Sequence, residues 1–405
     1  MKKNKINNNL SHQIINKKIN LYYINKDSPG MIFWDENGLY IFEELKKLIR
    51  EKLLLYSYNE VKTPVLINKK LWIKSEHYNF FNKNMFSIYK ENREFCIKPM
   101  NCPGHIYLFK NKLRSYSDLP LRISEFGNCF RIEPSGSLYG LMRTNSFVQD
   151  DAHIFCLENQ IYDEIYNCIS IINNVYSIFN FNKINIKFST RPKFKIGDDI
   201  LWDKSENLIL NILNNNKIKF DINVGEGSFY GPKIEFILFD YINRPWQCGT
   251  IQLDLFLSNK LNAYYIDKDN NKKNPIIIHR AILGSIERFI GIITEHFQGK
   301  YPVWISPIQI VIININDNNN KYIFNLYNKL LDLKIRVKID LRNKNIKYKI
   351  RENIILNIPY IIVIGDKEIK NNILSIRERD KDYIYTINYE EFLIKIKNEI
   401  KNRVL

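Results

Sequence analysis

Apolar residues recur at helical spacing in two long segments of the chain. In residues 41–56 they fall on one face of a helix, and residues 60–64 follow as a short extended stretch. Residues 281–297 again show a helical pattern, in which Gly284 and Gly291 stand seven positions apart on one face. Because glycine has no side chain, we expect another part of the chain to approach that face closely.

The spacing changes to alternation between Lys217 and Leu257. Three runs there carry apolar residues at every second position, which is typical of strands with one buried face. The pattern predicts neighbouring antiparallel strands. The alternating residues are Phe220, Ile222 and Val224, then Ile234, Phe236 and Leu238, then Ile251, Leu253 and Leu255.

A domain boundary is predicted at residues 299–307, where Gly299, Pro302 and Pro307 interrupt the pattern. Beyond it, strands alternate with helices, which predicts a small α/β unit with a largely parallel sheet. The predicted order is strand 308–315, helix 322–333, strand 335–339, helix 348–358 and strand 360–364. The fold class is therefore α+β: an antiparallel sheet flanked by helices, followed by a small C-terminal α/β domain.

The charge of the chain points to a polyanionic partner. The 405 residues include 60 Lys and Arg against 43 Asp and Glu, which gives a formal charge of +17. Such an excess favours nucleic acid as the partner. A membrane surface, or a lysine-rich composition caused by AT-rich coding, would give the same charge. Runs of asparagine such as residues 7–9 support the coding alternative.

The chain has few features of a membrane or secreted protein. It has no run of about 18 uncharged apolar residues, so we expect no membrane-spanning helix and no membrane partner. The first 18 residues are basic but lack the apolar centre of a signal peptide. An organellar transit peptide stays an alternative, although this stretch has no Arg. The six cysteines form no Cys-x-x-Cys pair, which favours a reducing cytoplasm over a disulfide framework.

Two arginines flank a glycine-containing loop within residues 130–151. Arg131 and Glu133 precede the loop, and Arg143 follows it, four residues before Phe147. Guanidinium groups fit phosphate oxygens bidentately, and an aromatic ring beside them can stack on a purine. An isolated Arg-x-Glu would more often be a surface ion pair. The complete spaced set resembles the second signature motif of class II aminoacyl-tRNA synthetases.

The other signature motifs of that class also have counterparts. The first resembles the helix and extended segment that end at Pro64, and the third resembles residues 284–288. Further strings resemble the threonyl-tRNA synthetase family almost letter for letter, and the resemblance covers roughly residues 11–405. The strings are residues 28–31 (SPGM), 98–105 (KPMNCPGH), 149–156 (QDDAHIFC), 229–233 (FYGPK), 246–250 (WQCGT) and 278–284 (IHRAILG).

The resemblance to this family implies that Cys102, His153 and His279 bind a zinc ion, with a single ion per chain. The three residues are far apart in the sequence, and each alone would more often be a core cysteine or a satisfied histidine. One Cys and two His leave a coordination position open for substrate. The family implies that the ion binds the amino group and the hydroxyl of threonine. Valine has a methyl group in place of that hydroxyl.

The resemblance also implies roles for residues that bind ATP and threonine. Arg131 is expected to hold the α-phosphate of ATP and Arg143 the γ-phosphate, while Arg288 reaches the phosphates from the third motif and Mg²⁺ accompanies ATP. Phe147 is expected to stack on adenine, beside Glu133. The expected pocket for threonine and its adenylate comprises Met100, Gln149, Asp151, Tyr230, Lys233, Gln247 and Gln252.

Two departures from the family pattern fall near the expected catalytic residues. His77 is expected to assist transfer to the tRNA ribose, alongside Arg131 and Arg288 as catalytic residues. A purely structural role for His77 is an equal alternative, because Glu76 stands where the family usually has glycine. Asn145 and the following serine replace the usual Arg-Gly pair, which predicts a slower enzyme but not an inactive one.

The C-terminal α/β unit resembles the anticodon-binding domain of the family. Asn343, Glu368 and Arg377 occupy the positions that contact anticodon bases there. Asn357 replaces a residue that is usually basic, which would loosen the reading of the anticodon. We therefore expect a catalytic domain over residues 1–301 and an anticodon-binding domain over residues 302–405.

Together these features imply a threonine–tRNA ligase that forms threonyl-adenylate from ATP and transfers threonine to the 3′ end of tRNA(Thr). A homodimer is expected, because the first motif forms the subunit interface in this class. The N-terminal editing region of the family is expected to be absent. The alternatives are a non-catalytic relative that binds RNA or senses an amino acid, and a class II synthetase for proline or serine. The intact arginines and zinc ligands argue against both.

Overall fold

The computed structural model describes residues 10–181 and 183–405. The chain forms two compact units. The large unit comprises residues 24–32 and 46–292, and the small unit comprises the described residues up to Tyr23, residues 33–45 and residues 293–405. Across the described residues, no helix has both the length and the apolar character needed to cross a bilayer.

Helices and strands alternate irregularly before residue 298. The helices are α1 (His12–Ile19), α2 (Glu36–Leu54), α3 (Lys69–Lys74), α4 (His77–Phe81), α5 (Cys102–Lys110), α6 (Ile161–Ile178), α7 (Asp199–Asn215), α8 (Leu257–Lys260) and α9 (Ile286–His296). The strands are β1 (Tyr22–Ile24), β2 (Ile32–Trp34), β3 (Asn59–Glu60), β4 (Leu66–Asn68), β5 (Ser87–Lys90), β6 (Arg93–Ile97), β7 (Leu121–Phe130), β8 (Ser146–Cys156), β9 (Asn185–Ser189), β10 (Asp221–Asn223), β11 (Lys233–Phe239), β12 (Pro245–Asp254), β13 (Tyr265–Ile266), β14 (Lys272–Lys273) and β15 (Ile276–Ser285).

The helix predicted over residues 41–56 is confirmed as α2. Its apolar positions lie on one face, and burying that face stabilises a helix that an isolated segment of this length would form only marginally. The buried residues of the predicted stripe are Ile41, Leu45, Leu48, Ile49 and Leu53.

The described residues of the large unit build an eight-stranded sheet in the order β10-β9-β11-β12-β15-β8-β7-β3. Its central pairs are antiparallel, as predicted. The prediction for residues 217–257 is correct for β11 and β12, which pair antiparallel. It is wrong for β10, which pairs parallel with β9, because β9 lies between β10 and β11.

The helix predicted over residues 281–297 is wrong in its first turn. β15 continues to Ser285, and α9 begins only at Ile286. β15 is buried on both faces, so its sequence is apolar on both sides of His279 and Arg280 and lacks the alternation that identifies a strand. The close approach expected at the two glycines is confirmed. A Cβ atom on Gly284 would lie 2.6 Å from the Cys248 carbonyl oxygen, and one on Gly291 would lie 3.1 Å from the Met142 sulfur.

The C-terminal part of the small unit is the predicted α/β domain. Its five-stranded sheet has the order β17-β16-β18-β19-β20, in which the first three strands are parallel and the last two antiparallel. The fold class is therefore confirmed. The elements are β16 (Ile310–Asn314), α10 (Asn320–Asp332), β17 (Val337–Asp340), α11 (Ile346–Ile355), β18 (Tyr360–Ile364), α12 (Asp366–Asn371), β19 (Ile373–Glu378), β20 (Tyr385–Asn388) and α13 (Tyr389–Lys401).

Candidate active site and metal centre

A cavity of about 480 Å³ opens over the central strands of the large unit. Its walls come mainly from β8, β12 and β15, with Lys233 of β11, Arg288 of α9 and residues of the connecting loops. It gathers nearly all the residues expected to bind ATP and threonine, although they span the sequence from residue 100 to residue 288. The expected residues that line it are Met100, Cys102, Arg131, Glu133, Arg143, Phe147, Gln149, Asp151, Tyr230, Lys233, Gln247, Gln252, His279 and Arg288.

The three expected metal ligands converge beside this cavity, which Cys102 and His279 line and His153 does not. β8 and β15 are neighbours in the sheet, and their antiparallel register places His153 directly opposite His279. Cys102 is the first residue of α5. One donor atom from each residue lies within 4.8 Å of the other two, and all three side chains are buried. The tertiary structure therefore builds a Cys-His-His donor set that no local spacing encodes.

Each histidine of this set has one ring nitrogen already engaged. His279 Nε2 lies 3.0 Å from Asp254 Oδ2, and His153 Nδ1 lies 2.7 Å from His105 Nδ1. The other ring nitrogens, His279 Nδ1 and His153 Nε2, are buried and have no hydrogen-bond partner among the described residues. Zinc-bound histidines show this arrangement, because the second nitrogen normally donates to a neighbouring group. The residues present therefore fit a zinc ion.

Burial controls the protonation of these ligands. It raises the pKa of the Cys102 thiol well above its usual value, and the nearby carboxylates of Asp151 and Asp254 add to the effect. Burial lowers the pKa of His153, as do His279 and His105. His153 is therefore neutral, the form that binds metals. The thiol needs a nearby cation to become a thiolate, which a dication bound at the cluster would provide.

The arginines of the second motif stand at the ends of neighbouring strands. Arg131 follows β7 and lies 5.1 Å, measured from its guanidinium carbon, from the centre of the Phe147 ring. Arg143 is about half exposed and its Nε donates to Glu133 Oε2 at 2.9 Å. The residues predicted to contact phosphate and purine therefore lie close together. Arg143 is held by its ion pair with Glu133, and a phosphate could take the place of that carboxylate.

Arg288 is held by backbone groups. Its Nε donates to the Met142 carbonyl at 2.8 Å, and one terminal nitrogen donates to the Gln247 carbonyl at 2.7 Å. The guanidinium also lies 5.5 Å from the Trp246 ring centre, where a cation–π contact is favourable. These contacts fix the direction of the side chain at the cavity wall before any ligand binds.

The residues expected around threonine form their own hydrogen bonds. Gln252 Oε1 accepts from the Tyr230 hydroxyl at 2.7 Å and from Ser228 Oγ at 2.6 Å. Asp151 Oδ2 accepts from the Asn101 side chain at 2.9 Å. Lys233 Nζ lies 2.7 Å from a carboxylate oxygen of Glu235. This side of the cavity is therefore a preorganised polar surface.

Asp150 is a structural residue of the site to which the sequence reasoning gave no role. Alternation along β8 turns it away from Asp151, and it accepts hydrogen bonds of 2.8–2.9 Å from the backbone N–H groups of Ile282, Leu283 and Gly284. Burial raises the pKa of Asp150 to about 7, although those N–H groups and Arg280 oppose the shift. The available signal was the pair of consecutive acidic residues in β8, because alternation along a strand points one of them away from the cavity.

The turn bound by Asp150 leads directly from β15 into α9. It therefore sets the position of the Arg288 backbone at the cavity wall. Gly284 has φ +74, a conformation that disfavours any side chain, and a Cβ atom would meet the Cys248 carbonyl oxygen at 2.6 Å. We expect Gly284→Ala to lower the free energy of unfolding by about 1–3 kcal/mol and to reduce any ATP-dependent activity. Denaturant unfolding monitored by circular dichroism would measure the change.

Gly136 provides the matched control for this substitution, because no atom lies within 4 Å of a Cβ built there. Gly136→Ala should change the free energy of unfolding by less than about 0.5 kcal/mol. Equal stability of the two variants would show that the Gly284 turn is not under steric constraint.

Asn145 departs from the family pattern but is firmly bound. Its side chain donates to the Pro29 carbonyl at 2.9 Å and accepts from the Glu133 backbone N–H at 2.9 Å. Its own N–H donates to the Gly30 carbonyl at 2.7 Å. Asn145, in place of the usual Arg, therefore holds the beginning of the loop between Arg131 and Arg143 through hydrogen bonds.

Glu76 occupies a conformation that suits the glycine usual at its position. Its φ of 65 lies in the left-handed region, and its carboxylate accepts from Lys260 Nζ at 3.0 Å. The neighbouring His77 is buried, with Nδ1 within 3.1 Å of the Ser75 carbonyl oxygen and Nε2 without a partner among the described residues. Its ring packs edge-on against Phe229 at 5.2 Å. His77 thus lies beside the described cavity lining rather than in it.

The residues expected to contact the anticodon all lie in the small unit. Asn343 is exposed after β17, Arg377 is part of β19, and Glu368 is 8% exposed in α12. The Glu368 carboxylate accepts from the Gly365 backbone N–H at 2.9 Å and from Ser375 Oγ at 2.7 Å. Among the described residues, no hydrogen bond joins these three side chains to one another.

The fold and the cavity define the core of a class II tRNA synthetase. Residues 85–297 match the family model for the tRNA synthetase class II core domain of the glycine, histidine, proline, serine and threonine enzymes, and residues 309–399 match the anticodon binding domain. Within that class, the chain belongs to the threonyl-tRNA synthetase family.

Curated proteins and solved structures both support this family, and the curated proteins are threonine–tRNA ligases. A threonine–tRNA ligase from Buchnera aphidicola subsp. Baizongia pistaciae is 54% identical over 96% of this chain and 61% of its own length, and one from Wigglesworthia glossinidia brevipalpis is 53% identical over 97% and 62%. The chain thus spans about three fifths of the length of these curated relatives.

Solved structures agree. A structure described as the RNA binding domain of threonyl-tRNA synthetase from Cryptosporidium parvum Iowa II has a TM-score of 0.93 at 35% identity, covering 96% of this chain and 98% of that one. Prolyl-tRNA synthetase from Giardia lamblia, at 17% identity over 97% of this chain and 80% of that one, has a TM-score of 0.74 and shares the fold alone.

Proposed function

We propose that the chain activates threonine with ATP and transfers it to the 3′ end of tRNA(Thr). The observation that supports this most directly is that a buried Cys-His-His donor set adjoins a cavity lined by three of the expected arginines. The arginines suit the phosphates of a nucleotide, and the donor set suits an amino acid that carries a hydroxyl. The threonine–tRNA ligases of similar sequence support the same activity.

In the proposed first step, the threonine carboxylate attacks the α-phosphorus of ATP and pyrophosphate leaves. Arg131 would stabilise the charge that develops on the α-phosphate, and Arg143 would bind the γ-phosphate after leaving Glu133. Arg288 is already fixed by backbone carbonyls, so it would stabilise the phosphate charge without moving. Such preorganisation of charged groups is the main source of electrostatic catalysis. Mg²⁺ bound with ATP would supply further positive charge at the phosphates.

Selection of threonine is proposed to depend on Cys102, His153 and His279, which would hold Zn²⁺. When bound, the ion would attract the amino group and hydroxyl of the substrate as a Lewis acid. Asp151 would accept a hydrogen bond from the same hydroxyl. Gln149, Lys233 and Gln247, with Met100, Tyr230 and Gln252, would line the rest of the threonine and adenylate pocket.

In the proposed second step, a terminal ribose hydroxyl of tRNA attacks the activated carbonyl and AMP leaves. Burial lowers the pKa of His77 to about 3, so the ring is neutral. If Nδ1 donates to the Ser75 carbonyl, the unpartnered Nε2 keeps its lone pair. His77 would then position the ribose by accepting a hydrogen bond, rather than by acting as a strong base.

The two proposed domains divide recognition of the tRNA between them. Residues 1–301 would hold the catalytic site, and residues 302–405 would bind the anticodon through Asn343, Arg377 and Glu368. Since the Glu368 carboxylate accepts two internal hydrogen bonds, its contact with a base would have to use remaining lone pairs. Six unpaired, buried cysteines support the cytoplasm as the proposed compartment.

We propose that the chain forms a homodimer through the segment that contains the first motif. Leu54 and Leu55, at the end of α2, are 76% and 75% exposed, and pairing would cover them. Light scattering at micromolar protein should give the mass of two chains, and Leu55→Asp should shift it toward one. Ile200→Asp, at a site that is 80% exposed, is the control and should leave the mass unchanged. A fully active wild-type monomer would contradict the proposal.

Threonine-dependent ATP–pyrophosphate exchange tests the proposed reaction. Threonine should support rapid exchange, serine slower exchange because it lacks one methyl group, and valine almost none. A methyl group in a pocket accounts for about 10–200-fold discrimination. Exchange with proline or serine in preference to threonine would indicate another specificity. Absence of exchange with all of them would indicate a non-catalytic relative.

A further inference from the structure

We infer that Glu125, acting through His105, fixes the tautomer of the metal ligand His153 so that its Nε2 lone pair faces the metal position. Neither Glu125 nor His105 is among the residues that line the described cavity, so both are positioning residues rather than catalytic ones. The inference rests on the proposed zinc site, but it concerns residues that the proposed reaction does not use.

A continuous buried hydrogen-bond chain connects the three side chains. Glu125 Oε2 lies 3.0 Å from His105 Nε2, and His105 Nδ1 lies 2.7 Å from His153 Nδ1. Glu125 and both histidines are 0–3% exposed, so water does not compete for these contacts. The two imidazole rings meet edge to face, with their centres 4.7 Å apart and an interplanar angle of 88°.

The Glu125 carboxylate, at one end of this hydrogen-bond network, can only accept hydrogen bonds. Lys98 Nζ donates to Glu125 Oε1 at 2.8 Å, and the Thr63 backbone N–H donates to the same oxygen at 3.0 Å. Thr63 Oγ1 donates to Glu125 Oε2 at 2.7 Å. Burial alone would raise the pKa of Glu125, but these donors and His105 lower it to about 2. Glu125 is therefore ionised, and the group that faces it must be a donor.

The direction of every proton in the chain follows from that charge. Since Glu125 accepts, a neutral His105 carries its single proton on Nε2, and its Nδ1 has a lone pair. That lone pair must accept from His153 Nδ1, so His153 carries its proton there. His153 Nε2 is then unprotonated, and this is the nitrogen left without a partner beside Cys102 and His279. A carboxylate two hydrogen bonds away from His153 thus prepares a metal ligand.

Glu125→Gln tests the inference with almost no change in shape. The amide oxygen would still accept from Lys98, and the amide NH₂ would face His105 Nε2 as a donor. The new donor would change the tautomer of both histidines and place a proton on His153 Nε2, at the metal position. We expect the affinity of the full chain for Zn²⁺ to fall about 10–100-fold. Competition with a colorimetric zinc chelator would measure it, and the visible spectrum of the Co²⁺-loaded protein should change.

His105→Ala is the second variant, because it interrupts the chain while leaving the Lys98–Glu125 ion pair intact. His105→Ala should also weaken Zn²⁺ binding about 10–100-fold. Because this variant keeps the ion pair, it tests the inference even if Glu125→Gln fails to fold. Glu295→Gln is the matched control. Glu295 forms a similar buried pair with His12 at 2.6 Å, in the small unit and outside the zinc network, so zinc affinity should not change.

The outcomes separate this inference from the proposed function. Wild-type protein that binds no Zn²⁺ would contradict the proposed zinc site itself. Wild-type protein that binds Zn²⁺, together with Glu125→Gln or His105→Ala variants that are folded and bind it within twofold of wild type, would overturn only the inference. Weaker binding in both variants, with unchanged binding in Glu295→Gln, would support it, because a general loss of stability would also affect the control.

Discussion

Replacement of Cys102 by serine should remove the zinc ion and reduce threonine-dependent ATP–pyrophosphate exchange to near background. The thiolate is the only anionic ligand of the Cys-His-His set, and a neutral hydroxyl is a much poorer partner for Zn²⁺. His279→Ala should have the same effect, since His279 lies directly opposite His153 in the sheet. Metal analysis of the purified protein and the exchange assay would measure the two losses separately.

Cys96→Ser is the control for this prediction. Cys96 is also a buried, unpaired cysteine, but it packs with Trp72 and Met85 and is not part of the donor set. That variant should keep its zinc and its exchange activity. Active wild-type protein without zinc would show that the ligand assignment is wrong.

Arg131→Ala should lower the rate of adenylate formation by roughly 10²–10³-fold, the range found when one preorganised electrostatic contact is removed from an active site. Arg131 lines the cavity and lies beside the Phe147 ring. Arg377→Ala removes the same charge from β19 in the small unit. It should leave pyrophosphate exchange unchanged and lower kcat/KM for tRNA by about 10–100-fold.

The contrast between these two arginine variants is the informative result. Exchange assays report adenylate formation alone, whereas aminoacylation of tRNA reports both steps and anticodon binding. If both variants lose exchange to the same extent, the proposed separation of functions between the domains is wrong. Loss of tRNA charging with unchanged exchange in Arg377→Ala, together with loss of both activities in Arg131→Ala, would support it.

The amphipathic pattern of α2 and the alternation in β11 and β12 were sufficient to predict those elements, because each buries one face and exposes the other. The same reasoning failed at β15, which is buried on both faces and therefore lacks alternation, with apolar residues on both sides of His279 and Arg280. It also failed for the pairing of β10, because strand order depends on β9, a segment more than 30 residues earlier in the chain. Periodicity reports the surroundings of a strand but not the identity of its neighbours.

The sequence by itself predicted the α+β body and the C-terminal α/β domain, and the resemblance of its spaced arginine motif indicated the class II synthetase fold. Motif resemblance added the residues proposed to bind zinc, which are Cys102, His153 and His279. Only the tertiary structure decided how those ligands meet, because the register of β8 and β15 and the start of α5 bring together residues separated by up to 177 positions. It alone disclosed the roles of Asp150 and Glu125. Their importance comes from buried hydrogen bonds to distant groups, and the strength of such bonds depends on the exclusion of water, which a linear sequence does not specify.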